Sequence, residues 1–192
     1  MKKVIIVTGT PGTGKTTISR QLAEEIGARY LPLTQHVSSY GLYSGVDVRR
    51  NSKVMDLKRT RADLKRLLLK EDKTIVVDSH IPDVIAPKSL VKRVLVLRCH
   101  PKVLKSRLRA KKWKQEKVQE NLLAEILDAC LLEAVDYYGW RPVFEINTSH
   151  GSVRRCVTLA KASLRGKSRK KGRSFDWITT LNREHSLLRY LK

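Results

Sequence analysis

KVIIVTGTPGTGKTT, residues 3–17, carries the reading of this chain. Its first half, KVIIVTG (3–9), is a continuous apolar run closed by glycine. That pattern predicts a parallel strand covered on both faces rather than a strand with one wet side. The next eight residues, Gly9–Thr16, fit G-x-x-x-x-G-K-[ST] at every defined position and lie between a strand and an expected helix. Glycines let the backbone wrap tightly, so that successive N–H groups face a β-phosphate. Lys15 would reach the β- and γ-phosphates, and Thr16 would ligate Mg²⁺. The positive end of the following helix adds to the attraction. The octet alone arises by chance now and then; in this strand–loop–helix context it predicts binding of a nucleoside triphosphate.

The remaining chain predicts more strands alternating with helices. A helix from about Thr16 places Ile18, Leu22, Ala23 and Ile26 on one face and stops at Gly27. RYLPL (29–33), TIVVD (74–78), RVLVL (93–97) and VFEIN (143–147) read as four further strands. Residues 52–70 read as a helix with Val54, Leu57, Leu64, Leu67 and Leu68 buried. PKVLKSRLRAKK begins another helix, 117–139 reads as one long helix ending at Gly139, and 152–164 as the last, with Ser152 as N-cap. Residues 34–53, rich in Ser, Tyr, Gly and Arg without a sustained period, read as loop. Such alternation implies right-handed βαβ units and an α/β fold with a five-stranded parallel sheet flanked by helices. Residues 165–192 lie beyond it: a basic linker, then a stretch able to dock a short helix through Phe175, Trp177 and Ile178.

Length and composition fit one domain with a respectable core. No apolar run approaches the roughly 20 residues that span a bilayer. The start, MKKVIIVTG, resembles a signal peptide only superficially, because it runs directly into the glycines without a cleavage site. Three widely spaced cysteines without metal-type spacing point to reduced thiols and a cytoplasmic protein. The charge is distinctive: 40 Lys and Arg against 18 Asp and Glu give +22. A field of that size favours polyanions, although a generally basic solvated surface would look the same. The excess concentrates at Lys102–Lys117 and at Leu164–Arg173.

Asp78 closes a strand at the edge where open α/β sheets bind ligands. It would hold Mg²⁺ through a water or orient the attacking group; a helix-capping Asp is the plainer reading. His80, two positions on, could face the γ-phosphate and position a nucleophile. Arg107, Arg109, Lys111, Lys112 and Lys114 could neutralise a transferring phosphoryl group, or form a solvated basic helix. NTSHG (147–151) could present backbone to an adenine ring or be a simple turn.

TGTPGTGKTT, LYSGVD (42–47), the strand-end Asp-x-His, VLVLR followed by VLKSRL, and QENLLAEI together resemble the adenylate-kinase-like nuclear ATPases. These are also called the sixth adenylate kinase isoenzyme or coilin-interacting nuclear ATPases, and they have archaeal counterparts; the look of this chain suggests an archaeal member. The likeness spans about residues 1–164. It implies a P-loop fold like that of the nucleoside monophosphate (NMP) kinases with a short lid, phosphate transfer between ATP and AMP, and ATP hydrolysis. It also implies a role in maturing small-subunit ribosomal RNA, with transient binding of ribosomal protein uS11. By the same resemblance Gly12, Gly14, Lys15, Thr16 and Thr17 bind ATP, with Arg109 and Lys111 contributing from the lid side. Residues 33–55 would form the NMP-binding segment and 110–120 the lid; Lys15, Asp78 and His80 would be catalytic, and Thr16 and Asp78 would hold Mg²⁺.

Departures from the family weigh on the kinase half. Ser79 replaces a tyrosine, and the lid's Arg-Gly-Tyr becomes Lys111-Lys112-Trp113, which keeps charge but loses the bidentate fork. Asp83 stands near where an adenylate kinase wants an arginine for the AMP phosphate. Two other readings remain open: a metabolic P-loop kinase acting on another small molecule, and a nucleic-acid-binding module whose P-loop only senses nucleotide.

Overall fold

A computed structural model describes residues 3–47, 52–81, 86–166 and 173–191. Five parallel strands form the central sheet in the order β2-β5-β1-β6-β7. They are β1 (Val4–Gly9), β2 (Arg29–Pro32), β5 (Ile75–Asp78), β6 (Val91–Arg98) and β7 (Val143–Asn147). Strand β1 sits at the centre, and its side chains divide between two cores. Val4 and Ile6 pack with Leu64, Leu68, Leu131 and Ala134 on one face. Ile5 and Val7 pack with Ile18, Leu22, Val157 and Ala160 on the other. Alternate residues serve opposite faces and both faces are covered, which is why the run is apolar without a break.

Helices α1 (Lys15–Glu25), α2 (Leu33–Ser39), α3 (Leu57–Lys70), α6 (Ala129–Tyr138) and α7 (Val153–Leu164) supply those faces, and α4 (Pro101–Ala110) and α5 (Gln115–Ile126) lie between β6 and α6 in the chain. Ser152 caps α7 by accepting the Arg155 N–H. Downstream, α8 (Trp177–Arg183) and α9 (Leu188–Leu191) place Leu181 and Tyr190 in a third apolar cluster with Leu104, Leu108, Val118 and Leu122. Among the described residues no helix is long and apolar enough to cross a membrane.

The structure departs from the sequence expectation in four places. Within 34–53, expected as loop, the described residues hold most of α2 and the antiparallel hairpin strands β3 (Tyr43–Asp47) and the start of β4 (Ser52–Met55). The expected helix over 52–70 accordingly starts at Leu57, after Asp56 accepts the Arg59 N–H as its cap. Val54 and Leu57 are therefore exposed, and Thr60, Leu64 and Leu68 form the buried stripe. The hairpin's short strands were masked by its polar, glycine-containing composition, which lacks a clean period of two. Residues 117–139 form two helices, broken where Asp128 takes a left-handed φ of 58°. Ile178 faces outward, leaving Trp177 as the buried anchor of α8.

The break at Asp128 has a tertiary cause. Arg98, at the end of β6, is fully buried and its guanidinium meets three carboxylates. Nε donates to Glu125 at 2.9 Å, one Nη to Glu145 at 2.7 Å and the other to Asp128. Aspartate tolerates the left-handed region better than most residues, and this turn carries its carboxylate to the arginine. Burial opposes the charge on Arg98, but Glu125 and Asp128 outweigh it and hold the guanidinium firmly protonated. Arg98→Met would leave the three carboxylates without their buried cation. It is expected to lower unfolding free energy by about 3–5 kcal/mol, read as the shift in the urea midpoint; an unshifted midpoint contradicts the assignment.

Candidate functional site

The strand order decides which loops meet. β1 pairs with β5 in parallel, with Val7 opposite Asp78, so the loop after β1 and the Asp78 end of β5 open at the same sheet edge. Backbone strain builds the loop. Gly9 has φ 139°, and a Cβ there would stand 2.4 Å from the Leu97 carbonyl oxygen. At Gly12, φ 93°, a Cβ would press within 2.9 Å of Leu104 and Leu108 on α4. Only glycine satisfies either position. Inside the loop, Thr13 donates its N–H and its hydroxyl to the Thr10 carbonyl, at 3.2 and 2.8 Å.

Lys15 Nζ curls back onto the loop, donating to the carbonyls of Gly9 at 2.7 Å and Thr10 at 3.2 Å. Burial lowers its pKa, with Asp78 among the groups opposing the fall. Thr16 donates its hydroxyl to Asp78 Oδ2 at 2.8 Å. Tyr30, from the strand beyond β5, donates its phenol to the same oxygen at 3.3 Å. Burial and the Asp78 charge both raise the Tyr30 pKa, keeping it a donor. Ser79 turns inward and ties to Ile81, accepting its N–H at 3.0 Å and donating to its carbonyl.

These groups line one cleft of about 800 Å³. Gly12, Gly14, Lys15, Thr16 and Thr17 form its base, with Asp78 and His80 beside them. Tyr30 and the start of α2, through Gln35, form one wall; Lys111, Trp113 and Lys117 form the other. Solvent reaches His80, yet the crowding of the cleft and the nearby Lys15 lower its pKa below the ordinary 6.5, against the pull of Asp78. Lys111 and Lys117 lie over the Trp113 ring, at 5.6 and 4.3 Å from its centroid.

The basic cluster is split. Lys111 lines the cleft, whereas Arg109 is exposed and stands outside its lining. Arg107 turns the other way and donates to the Thr148 carbonyl at 2.6 Å, pinning NTSHG to α4. In that loop Ser149 donates its N–H and hydroxyl to Asn147, at 2.8 and 2.6 Å. Asp83 lies outside the described residues, as do residues 48–51 of the 33–55 segment and 167–172 of the basic tail.

Tyr30 escaped the sequence reading, although placing the second strand beside the third brings its wall to Asp78. Trp113 and Lys117, which line the cleft, fall within the expected lid over 110–120 and the basic cluster Lys102–Lys117.

Two outcomes follow from this geometry. Lys15→Met should cut ATP turnover roughly 100-fold while leaving the thermal midpoint near that of the parent. In an NMR titration the His80 imidazole should protonate below 6.5, remaining neutral at pH 7 and gaining its proton only as pH falls further. A midpoint above the ordinary imidazole value overturns that assignment.

Residues 5–128 match a family model described as an AAA domain. A protein of Methanocaldococcus jannaschii named "Putative adenylate kinase" is 35% identical over 181 residues, covering 91% of this chain and 97% of the relative. Its namesake in Archaeoglobus fulgidus is 31% identical over 182 residues, covering 93% of each. In three dimensions the chain is similar to shikimate kinase from Acinetobacter baumannii, with TM-score 0.61 and 21% identity over 88% of this chain and 96% of that one. A gluconokinase from Sinorhizobium meliloti aligns with TM-score 0.54 and 17% identity, over 86% and 93%. Those two likenesses establish the α/β P-loop kinase fold. The archaeal relatives match nearly end to end, and the chain belongs to their adenylate-kinase-like family of P-loop, ATP-binding enzymes.

Proposed function

We propose that this nucleotide kinase-like enzyme is an ATPase with broad or weak NMP kinase activity, ATP + AMP to 2 ADP. We further infer that it assists maturation of small-subunit ribosomal RNA in the cytoplasm, through transient binding of ribosomal protein uS11. One observation carries the hydrolytic half: Asp78, bonded to Thr16, shares its cleft with an imidazole whose pKa is lowered. A neutral His80 can accept a proton from water at pH 7, as a general base must. The Thr16 hydroxyl and the Asp78 carboxylate suit a Mg²⁺ that arrives with the triphosphate, since Mg²⁺ keeps several waters and needs only one or two protein oxygens. That ion would neutralise charge on the β- and γ-phosphates. With nucleotide bound, Lys15 would leave the Gly9 and Thr10 carbonyls for phosphate oxygens, a stronger, charge-assisted pairing.

The weakness of the kinase half rests on the cations. Among the described residues the cleft is lined by Lys15, Lys111 and Lys117 and by no arginine. Lysines supply charge without the planar fork that clamps a second phosphate group in place. Residues 33–55 and 110–120, as NMP-binding segment and lid, would supply the walls on which an acceptor sits. For the partner, the support is electrostatic: a formal charge of +22 favours RNA and ribonucleoprotein surfaces.

ATP turnover measured with and without AMP tests the reading. The native chain should hydrolyse ATP without AMP, and His80→Ala should lower that rate roughly 100-fold. Turnover that requires AMP, together with a silent His80→Ala, would favour a small-molecule kinase instead. Binding to small-subunit RNA should weaken steeply with added salt; salt-independent or absent binding removes the ribosomal half alone.

A further inference from the structure

Glu125 is 2% exposed, and its two oxygens serve different parts of the molecule. Oε2 accepts the hydroxyl of Thr10, inside the phosphate loop, at 2.6 Å. Oε1 accepts Arg98 Nε at 2.9 Å, the Cys99 N–H at 3.0 Å and the indole N–H of Trp177 at 2.9 Å. A carboxylate offers about four acceptor positions, so these four donors together set its orientation. Thr10 is the residue whose carbonyl receives Thr13 and, at 3.2 Å, Lys15. A chain of hydrogen bonds therefore runs from α8 through Glu125 to the loop that cradles phosphate.

The segment bearing Trp177 is seated at several other points. Ser174 donates its N–H to Glu145, and Arg173 pairs with Asp128. Glu184 meets His100 at 3.1 Å, and the Gln119 amide donates to the Tyr190 carbonyl. Leu181 and Tyr190 pack into the cluster containing Leu104 and Leu108, the same side chains on which Gly12 rests. Two routes, one polar and one apolar, thus join this segment to the phosphate loop.

We propose that Trp177 is a positioning residue of the phosphate loop, acting through Glu125 and Thr10, so that seating of residues 173–190 tunes nucleotide affinity. The proposal rests on that loop holding nucleotide. Without the indole N–H, Glu125 is freer to turn and the Thr10 hydroxyl loses its fixed partner. The loop then samples more conformers, and binding must restore the order. The effect falls on affinity, raising KM with little change in kcat. Coupling is reciprocal, so nucleotide in the loop also tightens the seating of the segment.

Trp177→Phe keeps an aromatic ring beside Phe175 and His100 but removes the donor together with part of the ring; Thr10→Val removes the hydroxyl at nearly constant shape and leaves the Trp177 packing intact. ADP affinity by calorimetry on the full chain should fall roughly three- to tenfold for each single variant, the size of coupling between residues in one network. The double variant should be no weaker than the weaker single. A Trp177→Phe chain that binds ADP as tightly as the parent, or a double variant whose loss is the product of the two singles, overturns the proposal. A second measurement leaves Trp177 in place. The chain has three tryptophans, and Trp113→Phe with Trp140→Phe makes Trp177 the sole indole. Because Trp113 lines the cleft, calorimetry is run on that same variant: the Trp177 emission should shift along the ADP titration with the calorimetric midpoint of that variant, and flat emission while its calorimetry records binding overturns the relay. Absence of ADP binding to the native chain would instead sink the nucleotide site, and the proposal with it.

Discussion

One buried guanidinium organises this molecule. Arg98 sits at the carboxyl end of β6 and gathers Glu125 from α5, Asp128 from the break before α6, and Glu145 from β7. The α5–α6 junction and β7, both distant in sequence from Arg98, are thereby fixed around the end of β6, the strand beside β1. A cation in such a place is costly to desolvate and is tolerable only with its hydrogen bonds complete. Here each guanidinium nitrogen has a partner: beyond the three carboxylates, one Nη reaches the Glu125 carbonyl at 3.2 Å, and Arg173 supplies a second cation to Asp128 from the rim. The Trp177 ring lies 5.8 Å from the Arg98 guanidinium carbon, closing the remaining side.

The cleft inherits its shape from this cluster. Glu125 belongs both to the arginine network and to Thr10, so the helix on the lid side and the phosphate loop share one anchor. Gly12 lies against Leu104 and Leu108 closely enough to exclude a Cβ, which seats the loop on α4. The opposite wall is built separately, by the neighbouring strand that delivers Tyr30 to Asp78. Phosphate loop, acid and imidazole thus lie at or just beyond strand ends, while Tyr30 of β2 with the start of α2 forms one wall and Lys111, Trp113 and Lys117 the other. That division suits chemistry in which positioning and electrostatics supply most of the catalysis.

Much of this was legible in the chain. The apolar run 3–9, the octet at 9–16 and the acid at 78 each carry a local signature, because strand period, glycine backbone freedom and strand-end placement are local properties. The capping of α7 by Ser152 is equally local. The hairpin within 34–53 and the break at Asp128 were not legible. The first has short strands without clean alternation. The second bends a sequence with good helical periodicity because a distant arginine pulls on its aspartate.

The sequence by itself determined that this protein has a parallel sheet with a phosphate loop at its centre, and that Asp78 and His80 stand at the edge where that loop opens. Period and glycine chemistry are written in consecutive residues. Only the tertiary structure decided which cations face the cleft: Lys111 does, while Arg109 lies outside it and Arg107 is spent on Thr148. It alone joined Trp177 to Thr10 through Glu125. Side chains separated by dozens of residues meet only when the fold has set helix rotation and strand order, and neither is encoded in any local stretch.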